Sequence, residues 1–348
     1  MAKINLHDLF ISKSKDFFSE ENLNIDIKHR KIVDSFYDKM KIDKKFFLKN
    51  FREWDLQDDY AVPAQFNIEQ IKNKGIFDTA LNYFTRKVYE TIKPEIVNGF
   101  YDDLDFLKKY SDINLLKINP AHLSPGCKKF YFLEKGVSTN VRWSRYSYIA
   151  SQIKKYNLLE NNDSWIDVGS YYGGLQSFIK KIYPDINIVM VDFQHQLCRS
   201  FIFLSQLFPK SEHILPDDIN FDIDLESSKN KIIYLPVNMY SKFKKKFKLF
   251  TNFFGLGEMK KKDFDYYINH DNHNLAKNKY IVNRVVSGPY FDKTYNTDTN
   301  ILEYPFNKKN TKYYDVFPIQ HYQLQKTIVN DRKAFRPRSS EHFEVIYE

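Results

Sequence analysis

The stretch "SWIDVGSYYGGLQSFIKKIYPDINIVMVDF", Ser164 to Phe193, decides the fold. "WIDV" is a short apolar run that closes on a glycine, as a buried strand does. Gly169 stands where the backbone must turn tightly out of that strand. Gly173 and Gly174 let the next helix begin close to a ligand with free amide groups facing it. Leu175, Phe178, Ile179 and Ile182 then share one helical face that can lie on a sheet. A second strand over Ile188 to Val191 ends at Asp192, where an acid accepts hydrogen bonds from both hydroxyls of a ribose. Strand, glycine turn, helix, strand and terminal acid together make an arrangement that holds nucleotide-type cofactors.

The glycine spacing separates the cofactors that share this logic. Dinucleotide dehydrogenases carry G-x-G-x-x-G, and Tyr171 occupies the middle glycine here, where its side chain crowds a pyrophosphate that needs close backbone approach. That disfavours NAD. Asp167, two residues before the first glycine, sits where S-adenosylmethionine-dependent methyltransferases carry an acid in their D/E-x-G-x-G-x-G motif. The resemblance implies that this acid helps hold the methionine end of the cofactor. Tyr171 replaces the middle glycine of this motif too, while Asp167, Gly169, Gly173 and Asp192 stay in register. The expected cofactor-binding set is Asp167, Gly169, Tyr171, Gly173, Asp192, Phe193 and Asn252. The alternative that these glycines only shape a tight turn in a domain that binds nothing stays open.

Outward from this stretch, short apolar runs alternate with amphipathic segments: "LCRSFIFLSQLF", "KIIYLPV", "KLFTNFF", "FDYYI" and "KYIVNRVV". Strands alternating with helices predict right-handed crossovers and a mainly parallel sheet, hence an α/β domain. Two later runs, "YYDVFPI" and "FEVIY", are expected to supply an antiparallel edge. Before residue 115 the apolar positions recur at helical spacing, as Phe77, Leu81, Phe84 and Val88 do. Pro120, Pro125, Gly126 and Gly136 then punctuate a connection. The expected division is a helical N-terminal domain over 1–140 and a Rossmann-like domain over 141–348, which the helix-like "NVRWSRYSYIASQI" from Asn140 begins.

Composition agrees with a folded chain: 43% of the 348 residues are hydrophobic and 17% aromatic, enough for a sizeable core. The net charge of +9 favours anionic partners, although the basic residues are scattered apart from Lys242 to Lys248, "KFKKKFK". Two cysteines without metal-ligand spacing give neither a disulfide framework nor a zinc site. No apolar stretch approaches the roughly 18 residues of a membrane span. A cytoplasmic protein is expected; contact with the inner face of a membrane and homo-oligomerisation stay open.

The run "KLFTNFFGLGEM", Lys248 to Met259, reads as a later strand and its exit loop, and it resembles the N-x-x-S-F-x-E-M pattern of a family of bacterial sugar O-methyltransferases. "VDFQHQLCRSFIFLSQLFP", "YIVNRV" and "EYPF" resemble further segments of that family, so that the likeness covers residues 140 to 348; Gly255 and Leu256 stand in place of its Ser-Phe pair. The resemblance implies a class I, S-adenosylmethionine-dependent fold and methylation of a sugar hydroxyl in a capsule, a lipopolysaccharide or a precursor. A sugar hydroxyl is a weak nucleophile, so a general base is expected. Glu258 is the first choice, with His270, His273 and His321 as alternatives suited by their titration range. Arg142, Tyr146, Asn252 and Arg284 form the expected acceptor-binding set. A divalent metal stays an option near His270, Asp271 and His273, since some sugar methyltransferases resembling this class use magnesium, but no residue pattern requires it. Two other classes remain: a nucleic-acid methyltransferase, against which stand the missing RNA-binding module and the missing N/D-P-P-Y motif, and a non-catalytic scaffold with a decayed site, for which Tyr171 argues.

Overall fold

The computed structural model describes residues 103–125, 132–134, 137–139, 141–286, 299–319, 325–329, 332–336 and 342–348. The helices expected before residue 103, and His321, lie outside them. The described residues belong to two compact units. One holds 103 to Gln152 with the residues from Phe317 to 336, the other Ile153–Val316 with the C-terminal 342–348.

The first unit contains short helices at 103–110 and Asn114–Ile118, the hairpins Phe132–Glu134/Val137–Thr139 and Gln325–Val329/Arg332–Arg336, and most of helix α1, Val141–Lys155. Trp143 is fully buried there and donates its indole N–H to the Asn119 carbonyl at 2.5 Å. The Ser151 hydroxyl accepts the Asp112 amide at 2.9 Å. A buried indole finds its partner in this way because an unmade hydrogen bond in the interior costs about 1–3 kcal/mol.

The second unit is an eight-stranded sheet: β1 Ser164–Val168, β2 Asn187–Asp192, β3 Glu212–Ile214, β4 Lys231–Pro236, β5 Leu249–Phe253, β6 Asn278–Arg284, β7 Thr311–Val316 and β8 His342–Tyr347. The spatial order is β3-β4-β2-β1-β5-β6-β8-β7. All neighbours are parallel except β8, which runs against β6 on one side and β7 on the other. Chain order reverses between β1 and β5, and a crevice at the carboxyl ends of strands opens at such a switch point. This is the Rossmann-like sheet of class I methyltransferases.

Both faces of the sheet are covered, which is why its strands read as near-continuous apolar runs. Ile166, Val168, Val189, Val191, Ile233, Leu235, Phe250 and Ile281 line one face. Trp165, Ile188, Met190, Ile232, Tyr234 and Tyr280, equally buried, alternate with them. Helix α2, Gly174–Ile182, buries Leu175, Phe178 and Ile179, and it stops at Tyr183 ahead of Pro184. Helix α3, Gln194–Leu207, buries Leu197, Phe201, Ile202 and Leu204. Truncating any of these side chains to alanine removes roughly 2–5 kcal/mol.

"FDYYI" lies in a helix, α4, Lys261–Ile268, whose buried Phe264, Tyr267 and Ile268 follow helical spacing. Two details differ from the sequence reading. The antiparallel strand sits one place in from the edge, so the edge strand β7 is parallel to the rest. The three-residue edge strand β3 is too short to leave a pattern. No helix among the described residues is long and apolar enough to cross a membrane.

Candidate functional site

The loop between β1 and α2 is backbone under constraint. Gly169, Tyr171 and Gly173 take φ of +76°, +55° and +94°. A bulky residue in the left-handed region is an outlier that the surroundings must enforce. At Tyr171 they do so in three ways. Its N–H donates to Asp192 Oδ2 at 2.7 Å, and its carbonyl accepts the Ser200 hydroxyl at 2.5 Å. The Arg199 guanidinium lies 5.4 Å from its ring centroid, a cation–π distance. A Cβ at Gly173 would meet Leu204 Cδ1 at 3.0 Å, so its missing side chain lets α3 pack against the loop. Gly169 turns the chain back, with its amide on the Val191 carbonyl at 2.8 Å.

Two acids stand above this loop. Asp192 ends β2 and accepts the backbone amides of Tyr171 and Phe193, each at 2.7 Å and each on a different oxygen. One lone pair on each oxygen is thereby left for a diol. Burial pushes its carboxyl up to about 6, against the pull of the two amides and of Arg199. The half-buried Phe193 follows it. Asp167 is almost completely buried, and burial pushes it further, to about 7. Its oxygens accept the Thr251 hydroxyl and the Gln176 amide N–H, both at 2.5 Å. Thr251 in turn accepts the Trp165 indole N–H at 2.7 Å. Trp165, Thr251, Asp167 and Gln176 thus form one buried chain of hydrogen bonds beside the switch point. The Ser170 hydroxyl in this loop and the Gln176 carbonyl oxygen in the first turn of α2 are buried with no hydrogen-bond partner among the described residues. Native interiors seldom leave such atoms unpaired. A carboxylate with an acceptor position left on each oxygen, beside a second carboxylate and spare acceptor atoms, fits an adenosyl cofactor whose amino-acid tail carries an ammonium group.

The exit of β5 carries the second constrained loop. Asn252 is fully buried and spent within the protein. Its Nδ2 donates to the Val168 carbonyl at 2.7 Å, and its Oδ1 accepts from Leu256 N at 2.9 Å and Asn283 Nδ2 at 2.8 Å. Asn252 therefore serves to tie down the loop at the end of β5. Phe254 takes φ +66°, and a Cβ at Gly255 would lie 2.9 Å from Asn252 Nδ2. Gly257 N donates to Asn283 Oδ1 at 2.9 Å. Beyond it, Glu258 Oε1 meets Arg284 Nη2 at 3.4 Å, joining the ends of β5 and β6. Left-handed aromatic residues at the carboxyl ends of both strands that flank the switch point place local strain where function concentrates.

The remaining expected residues lie elsewhere. His270 caps the turn Asp271–Asn274 by accepting the Asn272 amide at 3.2 Å, and its ring packs 4.4 Å from that of Tyr240. His273 is buried against Tyr347, with 2.8 Å between Nε2 and the hydroxyl, and burial lowers it to about 4. Asp271 pairs with Lys244 at 3.0 Å. Among the described residues, no group of three or more histidine, cysteine or acidic side chains comes together. In the first unit, Arg142 is half-buried and Tyr146 is buried with its ring 6.1 Å from Trp143. Sequence reasoning missed Thr251, Gln176, Ser170 and Asn283. Only the position of Thr251, on the strand beside β1, offered a signal.

No protein-family profile and no curated protein matches the chain. Among solved structures it is similar to a chain of a fibrillarin/Nop5p complex, at 12% identity over 62% of this chain and 86% of that one, with a TM-score of 0.34. It is also similar to a mycolic acid cyclopropane synthase complexed with SAH, at 14% identity over 41% and 44%, TM-score 0.28. A magnesium protoporphyrin IX methyltransferase from Synechocystis PCC 6803 with bound SAH is 9% identical over 41% and 55%, TM-score 0.30. The chain spans about half the length of these last two. At such scores the fold assignment rests on strand order and direction.

Proposed function

We propose that the protein is an S-adenosylmethionine-dependent O-methyltransferase whose acceptor is a sugar hydroxyl of a bacterial surface polysaccharide or of its precursor. The observation that carries the cofactor is Asp192, held by two backbone amides at the switch point with one lone pair on each oxygen left for a ribose diol. The acceptor class rests on the likeness of "NFFGLGEM" to the sugar methyltransferase pattern. Residues 1–140 then serve the acceptor side or self-association.

When bound, the cofactor supplies a methyl group on a sulfonium for in-line displacement, in which the carbon–sulfur bond breaks as the oxygen–carbon bond forms. The chain has to hold the acceptor oxygen at about 3 Å in line, and such positioning supplies much of the acceleration. Asp192 orients the ribose and Asp167 the tail. The loop tied by Asn252 and Asn283 presents Glu258, whose carboxylate takes the hydroxyl proton. Arg284 pairs with that carboxylate and steadies it, and in this reading also binds an acceptor oxygen.

The test is calorimetric titration with S-adenosylhomocysteine of the wild type and of Asp192→Ala, with thermal melts to confirm folding. Micromolar binding that the variant loses supports the reading. No binding by a folded wild type at millimolar ligand overturns it. A gain of one methyl mass on a glycan, after incubation with the cofactor, tests the acceptor.

A further inference from the structure

We propose that β7, the long edge strand of the sheet, pairs with the same strand of a second copy of this chain, antiparallel and in a register centred on Tyr313, so that one sheet runs through a twofold dimer. This pairing is independent of which cofactor and which acceptor the site takes.

The two edges of the sheet are built differently. β3 at one end spans three residues, and its Glu212 pairs with Lys231 on the neighbouring strand. Short, charged edges of this kind resist pairing with another chain. β7 at the other end spans six residues, "TKYYDV", and among the described strands only β8 pairs with it. The outer side of such a strand is a template for one more strand. Lys312 and Asp315 cancel in charge, so two copies of this edge do not repel, and its side chains are apolar where a solvated edge is charged. Tyr314 is 52% exposed and Val316 58%. Both tyrosines are held in place from within the fold. The ring of Tyr313 lies 5.2 Å from that of Tyr156, while Tyr314, on the other face, lies 5.9 Å from Phe306 and 6.5 Å from Phe343. Aromatic side chains already ordered lose little entropy on docking, which suits them as anchors.

A closed pair of identical edge strands needs a twofold axis normal to the sheet. That axis makes the strands antiparallel and sets each residue opposite one that faces the same side. Centred on Tyr313, it brings Tyr313 against the partner's Tyr313, Lys312 against the partner's Tyr314 and Thr311 against the partner's Asp315. No like charges meet. The Lys312 ammonium is held by Glu348 at 2.7 Å and by Asn278 at 2.8 Å, which leaves its hydrocarbon stem for the partner's Tyr314 to cover. Centred on Tyr314 instead, the axis would set Lys312 against the partner's Val316, whose N–H is already taken by the Asp315 carboxylate at 2.7 Å in its own chain. Because β7 runs in the direction of β5 and β6, antiparallel pairing points the carboxyl ends of the two sheets opposite ways. Both crevices then stay open.

The experiment is sedimentation velocity of the full-length protein over a wide concentration range, with a thermal melt of each variant to confirm folding. A six-residue edge buries less than a standard interface, so wild type should be a dimer that dissociates on dilution. Tyr314→Lys sets like charges opposite each other and should weaken association by about tenfold or more. Adding Lys312→Glu to it puts opposite charges at the same two positions and should recover most of that loss. A wild type that stays at the mass of one chain throughout would overturn the proposal. So would a dimer that a folded Tyr314→Lys protein keeps, since the interface would then lie elsewhere. Loss in Tyr314→Lys without recovery in the folded double variant would overturn the register centred on Tyr313.

Discussion

Replacing Asp167 with asparagine should make this protein more stable at pH 8 while weakening its cofactor site. The carboxyl titrates at about 7 in the fold, against an ordinary value of 3.8, because burial outweighs the bonds from Thr251 and Gln176. The raised value means that the fold holds this proton more tightly than the unfolded chain does. The stabilisation is fully present below pH 3.8 and is lost as pH rises through 7. Three units at about 1.36 kcal/mol each give a loss of roughly 4 kcal/mol by pH 8. About 2.5 kcal/mol of it falls between pH 5 and pH 8 by the same linkage. Asparagine cannot ionise. The Gln176 amide can turn its oxygen toward the new N–H, so both buried hydrogen bonds survive the change. Charge repulsion from Asp192 is a smaller contribution to the rise at Asp167, with the same sign as burial. Urea denaturation of both proteins at the two pH values measures it. Relative to wild type, Asp167→Asn should gain about 2.5 kcal/mol on going from pH 5 to pH 8. An offset that does not change with pH, or that moves against the variant, would refute the account of Asp167 as a carboxylate ionised at the expense of stability.

Three further outcomes follow from individual contacts. Gly173→Ala should lower stability by about 2–4 kcal/mol in urea melts, from the left-handed backbone and from the crowding of Leu204; a loss below about 0.5 kcal/mol would contradict it. Thr251→Val, nearly the same shape, strands the Trp165 N–H and releases one oxygen of Asp167. It should cost about 2–4 kcal/mol and weaken S-adenosylhomocysteine binding, and a neutral melt would show that the buried chain carries little. Glu258→Gln should lower kcat for glycan methylation by about 10²- to 10⁴-fold at unchanged cofactor affinity, and an unaltered kcat would remove Glu258 as the base.

Much of the nucleotide half was legible in the chain because its cues are local. A glycine after an apolar run, a helical face two turns long and an acid closing the next run are set by backbone sterics and by periodicity over a few residues. Asp192 is read in this way and Asp167 from the resemblance to the methyltransferase motif, and the structure places both near the carboxyl ends of neighbouring strands. The acceptor side was less legible. Asn252 stood out in the motif, yet its side chain is consumed in tying the loop to Val168, Leu256 and Asn283. His270 and His273 drew attention by type and spacing, and each has a packing or capping task.

By itself the sequence determined that an α/β sheet forms, that a glycine-marked loop follows its first strand, and that Tyr171 departs from the glycine rule. Tertiary structure decided how that departure is tolerated, through Ser200 and Arg199 on the following helix. It also decided which groups surround Asp167. Thr251 is 84 residues away along the chain and reaches it only because β5 lies beside β1 in parallel register, with Asp167 opposite Thr251. Strand pairing is set by the burial of whole faces rather than by any single residue, so the partner of a buried acid leaves no mark near it in the sequence.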